Sequence, residues 1–174
     1  SLPQQPMGCW GSDIPNLQIV SITALPDMQG FFFGRWVYRS PSSPWAYIYG
    51  NKVNGFKFEP YVARVPANNP LGEWKYWTGS TWSTNLTAAA KISDYPVSAG
   101  FSVTNRSGKF YLFTQENGYL KCGKGQEIYA YTGNSTPYGK FGENNNVDTL
   151  YTVPDQFQGK ELKTYNAYAH PEWN

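Results

Sequence analysis

The chain has 174 residues, 18% of them aromatic, and a net charge of +2 from 14 basic and 12 acidic side chains. That length suits one domain, and 14 Tyr, 10 Phe and 7 Trp give enough apolar surface for a core, which excludes a disordered chain. Charges this sparse and balanced form no basic stripe to neutralise phosphates, which argues against nucleic acid, and no apolar stretch approaches the ~20 residues of a membrane span.

In chain order, the start, Ser1-Leu2-Pro3-Gln4-Gln5, lacks the charged and apolar regions of a signal peptide, so any leader has been removed or not included. Cys9-Trp10-Gly11-Ser12-Asp13 is a tight polar and aromatic cluster, and residues 17–23 read as the outer strand of an earlier sheet. Residues 31–39 and 45–50 then form a hairpin around Ser40-Pro41-Ser42-Ser43-Pro44, and 61–65 and 73–77 supply third and fourth strands bounded by Pro, Gly or Asn. The pattern recurs at 99–104, a turn at Asn105-Arg106-Ser107-Gly108, then 109–114, 127–131 and 149–153. A last aromatic, alternating run at 165–170 reads as an inner strand.

Seventeen Gly and thirteen Pro punctuate these runs without helical periodicity, so the fold is expected to be all-β. Sequential four-stranded meanders predict a β-propeller, with one blade at 31–78, another at 98–153 and a last inner strand at 164–174. A sandwich of two stacked sheets is the alternative. Two whole blades and two partial ones do not close a ring, so a complementing chain or segment is an expected partner.

The segments Phe33-Gly34-Arg35, Trp45-Ala46-Tyr47-Ile48-Tyr49-Gly50, Tyr61-Val62-Ala63-Arg64-Val65-Pro66, Glu73-Trp74-Lys75-Tyr76-Trp77-Thr78-Gly79-Ser80-Thr81-Trp82, Phe101-Ser102-Val103 and Tyr165-Asn166-Ala167-Tyr168-Ala169-His170-Pro171-Glu172 occur in a telling order. Over residues 17–174 the chain resembles the secreted five-bladed β-propellers of a domain-of-unknown-function type related to endo-D-arabinanases, in the neighbourhood of arabinanase and fructosidase propellers. Members of that group run to near twice this length, so the chain looks like the C-terminal half of one. The resemblance implies a glycoside-hydrolase-like protein acting on extracellular, arabinan-like polysaccharide, with its main catalytic carboxylates outside this chain. The alternative is a non-catalytic propeller that binds glycans or assembles with partners.

Sugar-binding candidates follow from position. His170 and Glu172 fall at the end of an inner strand, where imidazole can donate to and accept from a sugar hydroxyl; a strand-capping histidine and a solvated carboxylate are the plainer readings. Arg35 can clamp a carboxylate or sugar with its fork of donors, or tie neighbouring blades by a salt bridge. Asp13 beside Trp10 suits a sugar ring, and equally a loop pinned by a disulfide. Trp74, Tyr76, Trp77 and Trp82 offer a stacking platform or fill the gaps between blades. No metal site or cofactor is expected: there is no phosphate loop and no Cys/His cluster with zinc spacing, and one histidine rules out a histidine-rich site, with calcium on backbone and carboxylate oxygens the alternative.

Asn85-Leu86-Thr87, Asn105-Arg106-Ser107 and Asn134-Ser135-Thr136 are acceptors for N-glycosylation and point to a secreted or cell-surface protein. Cys9 and Cys122 allow one bridge, worth roughly 4 to 5 kcal/mol in the chain-entropy model; two separate thiols are the other possibility.

Overall fold

A computed structural model of the chain describes residues 28–116, 125–162, 164 and 167–169. The first sheet takes β1 (Phe31–Arg39), β2 (Trp45–Asn54), β3 (Lys57–Pro66), β4 (Lys75–Trp77) and β5 (Trp82–Ser83) in sequence order. The second takes β6 (Ser102–Arg106), β7 (Lys109–Gln115), β8 (Glu127–Thr132) and β9 (Val147–Thr152), and a small hairpin of β10 (Gln156–Phe157) and β11 (Lys160–Glu161) follows. Every ladder is antiparallel. The all-β expectation and the meander order therefore hold, and no helix among the described residues is long and apolar enough to cross a membrane.

Local chemistry explains the registers. The turn expected at Asn105-Arg106-Ser107-Gly108 joins β6 to β7, with Arg106 opposite Lys109 and the two intervening residues at φ 52° and 80°. Paired positive φ values give the turn whose twist matches that of the flanking strands. Gly50 on β2 faces the bulge in β1 between Phe33 and Trp36. A Cβ there would meet the backbone of Phe32 and Phe33 at 2.5 to 2.8 Å, so only glycine lets the strands close.

Strand bounds depart from expectation where polar residues continue a ladder. β2 and β3 run on to Asn54 and back from Lys57, four residues beyond the expected start of the third strand. Pro60, a breaker by sequence, sits inside β3: its carbonyl accepts from Ile92 N at 2.9 Å, and Phe58 O accepts from Val97 N at 2.9 Å. The linker between the sheets thus covers the half of β3 that the three-residue β4 leaves unpaired. The linker also carries a short 3-10 helix, Leu86–Ala88.

Side chains alternating along β2 and β3 feed two cores. Tyr47, Tyr49 and Val62 join Val103, Leu112 and Phe141 in an interior shared by both sheets, while Tyr61 and Ala63 face the other way, onto Phe31, Tyr76 and Leu86. Across the shared interior Tyr38 meets Phe110 edge to face at 5.0 Å, and the indole N–H of Trp36 on β1 donates to Val103 O on β6 at 2.8 Å. Consecutive meanders with their first strands in contact are consistent with neighbouring propeller blades, and no closed ring forms among the described residues.

Candidate functional site

Trp77 on β4 pairs with Trp82 on β5, their rings 5.3 Å apart. The loop after β8 lays Tyr138 onto both, at 4.5 Å from Trp77 and, edge on, 5.2 Å from Trp82. Four bonds fix that loop. The buried Tyr49 hydroxyl donates to Pro137 O at 2.6 Å, Phe141 N donates to Ile92 O at 2.7 Å, and Asn134 Oδ1 accepts from Thr136 N at 2.8 Å and Thr136 Oγ1 at 2.7 Å. The result is a cleft of about 340 Å³ walled by Trp77 and Tyr138 and edged by Lys91, Asn134, Thr136 and Lys140.

Charge is arranged around it. Asp94 receives Lys140 Nζ at 2.6 Å and Lys91 Nζ at 3.5 Å, and Glu59 lies 3.9 Å from Lys91. The hydrogen bond from Lys140 is the main cause holding the Asp94 carboxyl below its ordinary range, and the same bond raises the Lys140 ammonium. Behind the ring wall the Arg64 guanidinium lies between Trp45 and Trp82, 4.2 and 4.3 Å from the ring centres. Its Nε is buried without a hydrogen-bond partner, and burial pushes its pKa down. No carboxylate pairs with it among the described residues.

A second cleft, of about 410 Å³, runs between β1 and β6 and is lined by Trp36, Val37, Tyr38, Arg39, Val103, Thr104 and Asn105. Tyr168 stacks on Trp36 at 5.9 Å, and Ala169 N donates to Ser102 Oγ at 2.9 Å, so residues near the C-terminal end meet the first strands of both sheets. Among the described residues neither cleft is lined by a carboxylate. Among the described residues no group of three or more His, Cys, Asp or Glu side chains converges as metal ligands.

The residues singled out from sequence do not form one site. Arg35 is exposed at the β1 bulge, its guanidinium 5.7 Å from the Phe32 ring centre, and lines neither cleft. Asn105 edges the second cleft and accepts from Gly108 N in the hairpin turn, at 3.2 Å. Asn85 caps the 3-10 helix, accepting from Thr87 N at 3.0 Å and Thr87 Oγ1 at 2.8 Å, and Asn134 shares that geometry at the first cleft. Trp10, Asp13, His170, Glu172, Cys9 and Cys122 lie outside the described residues.

The four aromatics weighed as a platform divide. Trp74 and Tyr76 pack with Phe33 and the second core, whereas Trp77 reaches the first cleft. Lys91, Tyr138 and Lys140 escaped the sequence reading. Lys91 lies in the linker, and the signal for Tyr138 and Lys140 is a loop, Gly133 to Gly142, whose Pro137-Tyr138-Gly139 core carries no strand pattern and gains its partners only by folding onto the first sheet.

A family model described as a domain of unknown function, DUF5005, matches residues 10–174. No curated protein and no solved structure matches the chain.

Proposed function

The chain belongs to the DUF5005 family, and on that premise we propose that it is an extracellular carbohydrate-binding protein whose two meanders are blades of a β-propeller completed by a further segment or chain. The supporting observation is the Trp77–Tyr138 cleft: two half-buried rings meeting at 46°, with Asn134, Thr136, Lys91 and Lys140 at the rim. Aromatic walls with a few placed polar groups are the usual composition of a small-molecule site, and the C–H faces of sugars suit such rings. The sequon at Asn85, exposed in a polar turn away from the cleft lining, supports the extracellular placement.

Binding rather than hydrolysis is the reading that fits the two clefts. Glycoside hydrolysis needs a pair of carboxyl groups roughly 5 to 9.5 Å apart across the scissile bond. Asp94 and Glu59 are engaged by Lys91 and Lys140 and do not line the first cleft.

Calorimetric titration with arabinan- and galactan-derived oligosaccharides, before and after enzymatic removal of any Asn-linked sugar, tests the proposal. Saturable binding that weakens about tenfold in Tyr138→Ala, a change of roughly 1.4 kcal/mol, is expected. No binding to any saccharide, or binding indifferent to that substitution, would overturn it. Release of new reducing ends would move the protein to the hydrolase class.

A further inference from the structure

We infer that the Trp77–Tyr138 cleft takes an acidic saccharide, one bearing a carboxylate or sulfate group, in preference to a neutral one. The inference rests on the carbohydrate reading above and names the ligand class of that same cleft.

The polar groups of the lining are biased towards donation. Among the described residues Lys91 and Lys140 are its charged side chains, and an ammonium group donates three hydrogen bonds and accepts none. Asn134 brings a carboxamide, but its oxygen already accepts from both the amide and the hydroxyl of Thr136, which leaves the NH₂ group to meet a ligand. Thr136 spends its hydroxyl proton in the same contact. A neutral sugar carries a proton on every hydroxyl that needs an acceptor, and these side chains offer few. An anionic substituent offers only acceptors.

The compensating negative charge lies off the lining. Asp94 bridges the two ammonium groups, Glu59 reaches Lys91, and Glu143 acts on Lys140 only at longer range. Asp94 is exposed, and exposed pairs of this kind contribute little, so either lysine can turn from Asp94 to a ligand anion. One ring behind Tyr138 lies the Arg64 guanidinium, with no carboxylate partner among the described residues, and its positive field reaches the same wall.

The experiment compares three trisaccharides by calorimetry on the full chain: neutral galactotriose, a galacturonate trimer and a sulfated galactose trimer. At low ionic strength at least one acidic trimer is expected to bind about tenfold or more tightly than the neutral one, and the acidic arms separate carboxylate from sulfate recognition. That advantage should shrink severalfold in about 0.5 M sodium chloride, because the lysines are exposed and screened. It should also fall in Lys91→Gln and in Lys140→Gln, with thermal melting confirming that each variant is folded. Equal or weaker binding of both acidic trimers, or a preference insensitive to salt and to both substitutions, would overturn the inference while leaving the carbohydrate reading intact. Failure of all three trimers together with the arabinan oligomers would remove both.

Discussion

Single residues carry an uneven share of this structure. Arg64 has no acidic partner among the described residues, and the faces of Trp45 and Trp82 stand in for one. Truncation to alanine removes both cation–π contacts and the aliphatic stem that covers the rings, so Arg64→Ala should cost about 1 to 3 kcal/mol. Urea unfolding with an unchanged slope would check this. Arg64→Lys should fall between, since an ammonium group keeps the charge but not the flat surface that stacks on indole. Gly50→Ala is expected to be harsher: its Cβ would press on backbone atoms, which cannot swing away as a side-chain tip can. Roughly 2 kcal/mol or more should be lost, with the β1 bulge as the place where amide exchange rises first.

At the scale of elements, much of the chain was legible and the reasons are specific. β1, from Phe31 to Arg39, and the Ser107-Gly108 turn coincide with the sequence reading because aromatic runs and paired positive-φ positions act locally. β3 begins earlier than its sequence predicts because Pro60 signals a break, and only the linker arriving with Ile92 and Val97 shows how that stretch stays paired. The cleft was illegible for the same reason: Trp77 and Tyr138 are 61 positions apart, and the loop that carries Tyr138 is shaped by Tyr49 and Ile92. The C-terminal residues illustrate another long-range tie. Gln115, at the end of β7, donates through Nε2 to Gly125 O and Thr164 Oγ1, and its Oε1 accepts from Ala167 N. Gln115→Ala should therefore raise the exchange rate of the Ala167 and Ala169 amides by about tenfold or more while the β6 and β7 amides keep their protection. Equal exchange in both proteins would show that Ala169 N to Ser102 Oγ holds the segment unaided.

On the scale of the molecule, the two sheets and their linker are joined by buried phenols, and that makes stability sensitive to alkali. Tyr49 of the first sheet donates to Pro137 O in the loop after β8, and Tyr131 of the second donates to Pro96 O in the linker, at 2.6 and 2.7 Å. Both hydroxyls serve only while protonated, because a phenolate facing a carbonyl oxygen is repelled by it. Burial is the leading cause that raises both pKa values above the ordinary 10.0, Tyr49 and Tyr131 alike well beyond it. A raised folded-state pKa contributes stability that is complete below the unfolded value and is lost as pH climbs towards the folded one. Stability should thus be level from neutral pH to about 9.5 and then decline, each buried phenol adding up to about 1.4 kcal/mol per pH unit above pH 10. Urea midpoints followed across that range, with tyrosinate absorbance recorded in parallel, test the point: the late-titrating fraction of the phenols should ionise together with unfolding. Tyr131→Phe should lose about 1 kcal/mol at neutral pH with its hydrogen bond, yet show a shallower alkaline decline, so the two proteins converge as the pH rises. Parallel curves would assign the alkaline sensitivity to other groups and leave Tyr131 as a packing residue alone.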